Sequence, residues 1–164
     1  MRGDTLYPLN TLKEIYPDVY VAEAKKYEGR EILMETIIPM LNCKWNDVLH
    51  LSAVDPREVD AAVSALGHPL LARRFLRIDP LALEEKRAVV YLNRHATPRE
   101  RLAPENWERY DPTTVETYAT ISQETLAYYR DSYASGKHPL LWHGIPHFLY
   151  AGNLSLKDHA IIKI

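Results

Sequence analysis

The chain has little cysteine, little glycine and no long apolar run, and each shortage excludes a class of protein. Cys43 is the single cysteine among 164 residues, so no intramolecular disulfide can form. With six glycines and neither a G-x-G-x-x-G sequence nor a P-loop, the chain lacks the glycine-rich loops that cradle phosphates. No apolar run approaches the roughly 20 residues of a membrane helix, and the first ten residues lack the apolar segment of a signal peptide. These features predict a protein of the reducing cytoplasm that does not enter the membrane.

The chain also has no excess of charge of either sign. Twenty basic and 22 acidic residues give a formal net charge of −2. This near balance argues against strong, sequence-independent binding to nucleic acid or to an anionic membrane. A small molecule or another protein is the expected kind of partner. The length suits a single globular domain over residues 1–164 with a substantial core.

Apolar periodicity predicts an α+β domain whose sheet is mixed or antiparallel and is flanked by helices. The best-signalled helix follows Asp55, a favourable N-cap, with Pro56 at its first position and Gly67 at its end. Strand and helix do not alternate regularly along the chain, which disfavours a parallel sheet. Strands are predicted over 47–53, 73–78, 88–93, 140–142, 147–150 and 160–164. Further helices are predicted to start at Thr11 and at Pro17, and to cover 31–38 and 114–134.

The stretch WNDVLHLS, residues 45–52, concentrates polar chemistry on one predicted strand. In a strand, Val48, His50 and Ser52 share one face, while the neighbouring leucines share the other. His50 and Ser52 suit the floor of a cleft, where a neutral imidazole can act as acid or base or can orient a ligand. The alternative is the wet face of an edge strand. The two interpretations differ in whether the polar faces of 47–53 and 147–150 meet in one cleft.

A second group of candidates lies around the end of the strand predicted over 88–93. Arg94 follows that strand and could hold a phosphate or carboxylate with two parallel hydrogen bonds, or could belong to a solvated turn. The proline-rich segment 95–112 then predicts a long loop. It contains Trp107 and several arginines, residue types that often anchor protein interfaces. The segment could therefore be the contact surface of a non-catalytic interaction module.

Metal binding is not predicted. His143 and His147 are four residues apart, but Gly144 and Pro146 between them disfavour the helix that would place both on one side. Neither a cysteine nor a clear carboxylate completes the three or four ligands of a zinc site.

The order of these elements resembles that of ADP-ribosyltransferase-like domains, which include RNA 2′-phosphotransferases and DNA-modifying ADP-ribosylating toxins. LYPLNTLKEI is similar to their opening strand and capped helix, and DVLHLSAVDPREV to their next strand, which ends in a hydroxyl residue and leads into a helix. IPHFLYAGNLSLKDHAIIKI looks like their closing strand, loop and strand. Two positions depart from the family pattern. Pro8 stands where a histidine is expected after Tyr7, and His147 stands where the catalytic glutamate is expected.

The resemblance implies a nucleotide-binding domain whose cofactor is NAD. It makes His50 and His147 the candidate catalytic residues, with His147 either replacing the family glutamate as general base or marking a loss of catalysis. Tyr7 and Ser52 carry over as candidate cofactor-binding residues, and Arg94 is assigned to a phosphate.

Overall fold

The computed structural model describes residues 3–70, 72–94, 100–157 and 160–164. These residues form one α+β domain, in agreement with the predicted class. The α-helices are α1 (Leu9–Ile15), α2 (Pro17–Ala24), α3 (Pro56–Ser64) and α4 (Gln123–Ala134). The strands are β1 (Thr5–Leu6), β2 (Ile37–Ile38), β3 (Cys43–Lys44), β4 (Leu49–Leu51), β5 (Arg74–Arg77), β6 (Ala88–Tyr91), β7 (Trp107–Arg109), β8 (His147–Tyr150), β9 (Leu154–Ser155) and β10 (Ala160–Lys163). No helix in these ranges is long and apolar enough to cross a membrane.

A four-stranded antiparallel sheet forms the centre of the domain, in the order β4-β8-β6-β7. β8 is an inner strand: His50 of β4 lies opposite Leu149, and Tyr91 of β6 lies opposite His147. Three two-stranded antiparallel ribbons, β1–β9, β2–β3 and β5–β10, complete the strand pairing of the described residues. The prediction of a mixed or antiparallel sheet is therefore confirmed in its antiparallel form.

Both faces of the central sheet are covered by apolar side chains. Successive residues of β6 point to opposite faces, so all of them are apolar. Alternation along the strands sends successive side chains to opposite faces. One face packs into a cluster that includes Leu49, Val90, Phe148 and Tyr150. The other packs into a cluster that includes Val48, Val89, Tyr91, Trp107 and Leu149. The predicted division of residues 48–52 between two faces is confirmed.

Helix α3 forms as its sequence predicts. The Asp55 carboxylate caps it by accepting a hydrogen bond from the backbone N–H of Arg57 at 2.9 Å. Val59 and Val63, one turn apart, are fully buried, so this face of the helix closes the domain beside the end of β4.

Three helix predictions were wrong in their bounds. The first helix begins at Leu9, two residues before the predicted start at Thr11. Over 31–38, the structure has a single 3-10 turn and then β2, because residues 37 and 38 pair with β3 and leave no continuous helix. Over 114–134, a 3-10 turn (Val115–Tyr118) precedes α4. The helix starts at Gln123 because the Ser122 hydroxyl accepts the backbone N–H of Thr125 and acts as N-cap.

Two further predictions also need correction. Residues 140–142 form a turn rather than a strand. Their backbone groups are hydrogen-bonded to side chains of α4: the N–H of Leu140 donates to the Tyr128 hydroxyl, and the carbonyl of Leu141 accepts from the Tyr129 hydroxyl. The segment 95–112 is not one long loop, because β7 within it pairs with β6. Its first five residues, 95–99, lie outside the described residues.

Candidate functional site

A cleft of about 860 Å³ opens at the edge of the central sheet where β4 ends and β8 begins. This volume is within the range of small-molecule and cofactor sites. Its floor is formed by the ends of these two strands. Its walls are the start of α3, the β5–β10 ribbon, the 3-10 turn at 115–118 and the side chain of Trp142.

His50 and His147 converge in this cleft. Because His50 lies opposite Leu149, it points to the same face of the sheet as His147 two residues away. Their ring centroids are 6.3 Å apart and their planes are nearly perpendicular, at 85°. Both residues belong to the cleft lining, together with Leu51 and Phe148, whose side chains lie on the opposite face of the sheet. His50 and His147 therefore share one sheet face at the edge of the cleft.

His50 is an exposed residue of the cleft lining, and its ring packs against that of Trp45 with centroids 4.9 Å apart. The protein that surrounds the ring determines its pKa. Burial, followed by the neighbouring charge of His147, lowers the pKa of His50 to about 4, so the ring is neutral at pH 7. Nε2 lies 3.1 Å from the carbonyl oxygen of Trp45. A carbonyl can only accept, so Nε2 carries the proton and Nδ1 keeps a lone pair.

His147 is half-buried and is also held neutral. Burial lowers its pKa, and the nearby carbonyl groups of Pro146 and Ile145 oppose that shift. Neither carbonyl makes a hydrogen bond of good geometry with Nδ1, which is buried without a partner among the described residues. Unsatisfied buried polar atoms of this kind are uncommon in folded proteins.

The other predicted site residues are divided between the cleft and the rest of the surface. Ser52 lines the cleft, and its hydroxyl accepts the backbone N–H of Val54 at 3.2 Å. Tyr7 is half-buried and packs edge-on against Tyr16, and it is not among the cleft-lining residues. Arg94 is exposed and also lies outside the cleft lining. The pKa of Glu124 at the start of α4 is lowered mainly by hydrogen bonds from its own backbone N–H and from Ser122, and the charge of Arg94 adds a smaller effect.

The β5 wall contributes residues that the sequence did not single out. Phe75 meets Trp142 with ring centroids 6.3 Å apart. The pKa of the Asp55 carboxyl is lowered mainly by its hydrogen bonds from Arg57, and the charge of Arg77 adds a smaller effect. An exposed Arg-Phe-Leu-Arg strand has no feature that marks it as part of a site. The only signal was the alternation that places Phe75 and Arg77 on one face.

The turn that leads into β8 is held by side chains from two directions. Asn93 Nδ2 donates to the carbonyl oxygens of Trp142 at 2.9 Å and Ile145 at 3.2 Å. The Tyr129 hydroxyl donates to the carbonyl of Leu141, and the Thr125 hydroxyl donates to that of His143 at 3.2 Å. These contacts fix the backbone that places Trp142 on the wall and His147 on the floor.

The described part of the 95–112 segment packs against the sheet. Trp107 is only 7% exposed, and its indole N–H donates to the carbonyl of Arg101 at 2.8 Å. The Arg101 guanidinium lies over the Trp45 ring, 5.4 Å from its centroid. Tyr110 is buried, and its hydroxyl donates to the carbonyl of Pro80. These aromatic side chains are therefore core residues and not exposed anchors.

Across the described ranges, no group of three or more His, Cys, Asp or Glu side chains is arranged to hold a metal ion. The chain matches no protein-family model, no curated protein and no solved structure. The chemistry of the cleft is therefore the basis for assigning a function.

Proposed function

We propose that the cleft binds a nucleotide such as NAD and that the chain is an ADP-ribosyltransferase-like protein. The proximity of His50 and His147, which both belong to the cleft lining, carries this proposal. In the family that the sequence resembles, these two positions belong to the strands that contact the nucleotide.

The two imidazoles suit hydrogen bonding to an uncharged part of the ligand. Both are neutral at pH 7 because their pKa values are lowered. His50 has its Nδ1 lone pair available to accept a hydrogen bond from a ribose hydroxyl or an amide. Ser52 lies two residues further along the same face and can add a hydroxyl to the same ligand.

Catalysis would place a different demand on His147. As a replacement for the family glutamate it would take a proton from the attacking group, and a base works best with a pKa near the working pH. The lowered pKa of His147 makes it a weaker base than an ordinary histidine. Nucleotide binding with slow or no NAD consumption is therefore the form of the proposal that the electrostatics favour.

The alternative function, an interaction module that uses the segment 95–112, gains less support. It required Trp107 as an accessible anchor, and that side chain packs in the core. Among its described residues, Glu108 and Arg109 of β7 are exposed.

Thermal unfolding in the presence of NAD and of ADP-ribose tests nucleotide binding. A ligand that binds only the folded state adds about 2.7 kcal/mol of stability at a hundredfold excess over its dissociation constant. For a domain of this size, that gain raises Tm by roughly 5–10 °C. We expect His50→Ala to remove the shift and to leave unfolding of the free protein cooperative.

His138→Ala is the matched control, because His138 is an exposed histidine outside the cleft. It should keep the full ligand-induced shift. Absence of any shift in the wild-type protein, or an equal loss in both variants, would refute the proposal. Nicotinamide release, measured in parallel, reports whether bound NAD is also consumed.

A further inference from the structure

We infer that the β5 wall of the cleft is a subsite for an aromatic ring joined to a phosphate: Phe75 and Trp142 pack against the ring and Arg77 binds the phosphate. This inference rests on the proposed function and specifies which parts of a nucleotide the site contacts. It also gives the phosphate-binding role to Arg77 in place of Arg94.

The direction of the side chains follows from the ribbon. In β5, Phe75 and Arg77 lie on one face because side chains alternate. Phe75 reaches Trp142, and the charge of Arg77 reaches Asp55, at the start of α3. Trp142 and Asp55 both line the cleft from other walls. Phe75 and Arg77 both belong to the cleft lining, as do Arg74 and Leu76 of the same strand.

The aromatic part of the subsite is an apolar surface that is still partly open. Phe75 and Trp142 are both half-buried, and their planes meet at 69° with centroids 6.3 Å apart. Two such rings at an angle leave one face or edge of each available to a flat ligand. Bases stack on surfaces of this kind without regard to their identity.

The cationic part is the guanidinium of Arg77. The Asp55 carboxylate is already bound by the Arg57 side chain through three hydrogen bonds, from Nε to Oδ1 at 3.0 Å, from Nε to Oδ2 at 3.1 Å and from Nη2 to Oδ2 at 2.5 Å. Arg77 forms no ion pair within 4 Å in the described part of the chain and is exposed. A phosphate presents the two oxygens that a guanidinium fork prefers.

The remaining charges limit the ligand to a small anion. Glu58 and Glu116 also line the cleft, on walls other than β5. With Asp55 they match the three arginines of the lining in number, so the cleft as a whole has no cationic excess. A mononucleotide or a dinucleotide places its few charges next to Arg77, whereas a polynucleotide would meet the carboxylates as well.

Isothermal titration with two probes, adenosine and ADP-ribose, separates the two parts of the subsite. Arg77→Gln should weaken the binding of ADP-ribose at least tenfold and change the affinity for adenosine less than twofold. Phe75→Leu should weaken the binding of both probes. Phe75→Tyr, which keeps the ring, should bind both with the affinity of wild type. Arg109→Gln changes an exposed arginine on β7 outside the cleft lining and should bind like wild type.

The results distinguish failure of this inference from failure of the proposed function. If wild type binds ADP-ribose through His50 but Arg77→Gln binds it equally well, the subsite is wrong and the proposed function stands. An equal loss of adenosine and ADP-ribose in Arg77→Gln also overturns the phosphate assignment. If wild type binds neither probe, both proposals are wrong.

Discussion

His50 and His147 lie on the same face of adjacent antiparallel strands, with ring centroids 6.3 Å apart. The protonated form of either ring is disfavoured by burial, and a charge on His147 would further disfavour a charge on His50. The pair is therefore neutral under physiological conditions, and its properties change when the pH falls.

Stability should decline at acidic pH partly through His50. Its pKa of about 4 in the folded protein lies below the ordinary value of 6.5, so the unfolded chain binds more protons between these two pH values. The free energy of unfolding therefore decreases as pH falls from 6.5 to 4, and His50 contributes no pH dependence above this window. Urea unfolding at pH 7.5, 5.5 and 4.5 should show a smaller decrease for His50→Gln than for wild type. Parallel declines in the two proteins would contradict the lowered pKa.

Removal of the Leu149 side chain should strongly destabilise the fold. Leu149 is fully buried on the inner strand β8, between His50 and Val89 on the neighbouring strands. Leu149→Ala should reduce the free energy of unfolding by about 2–5 kcal/mol, measured by urea unfolding. Ile161→Ala is the comparison, since Ile161 is 52% exposed on β10. A cost below about 1 kcal/mol for Leu149→Ala would mean that the centre of the sheet is not closely packed.

Gly144 should be less replaceable than another glycine of the same backbone conformation. Gly144 and Gly136 have φ of 71° and 70°, so alanine at either position adopts a left-handed conformation that costs about 1–2 kcal/mol. A Cβ at Gly144 would also lie 2.6 Å from the Thr125 hydroxyl, whereas a Cβ at Gly136 meets nothing within 4 Å. Gly144→Ala should therefore lower the thermal midpoint more than Gly136→Ala. Equal shifts would exclude a steric role for Thr125.

Asn93 should act on the cleft through the turn that it holds. Asn93→Asp keeps a side chain that tolerates the positive φ of 56° but removes the amide donor to the carbonyls of Trp142 and Ile145. We expect a loss of about 1–3 kcal/mol in stability. Because Trp142 lines the cleft, its fluorescence should also change in the folded state. A stability loss with an unchanged tryptophan spectrum would limit Asn93 to a structural role.

The parts of the fold that were predictable from sequence are those with strong local signals. Asp55 and Pro56 define the start of α3 by capping chemistry alone, and the strands at 147–150 and 160–163 appear where apolar runs predict them. The division of residues 48–52 between two faces likewise follows from the two-residue period of a strand.

The errors occur where distant contacts override local preference. Residues 37 and 38 belong to a segment that the sequence pattern predicts to be helical, yet they form β2 and pair with β3. Trp107 looks like a loop residue among prolines, but its strand pairs with β6 and its ring is buried. Such pairing cannot be read from a window of neighbouring residues.

The candidate site was only half predictable for the same reason. His50 and Ser52 stand out because short polar groups are unusual on a strand that is otherwise apolar. Arg77 does not stand out, since an arginine on an exposed strand is ordinary. Its proximity to Asp55 exists only after the β5–β10 ribbon has closed one side of the cleft.

The two histidines of the cleft are about a hundred residues apart in the chain and meet only through the pairing of β4 with β8. Contacts between such distant segments require a large loop to close, so they are slow to form during folding. A partly folded or cleaved chain would contain both histidines without the cleft between them. A ligand that requires both rings would therefore bind only chains that have completed folding. The amount of ligand bound at saturation would then measure the fraction of native protein in a preparation.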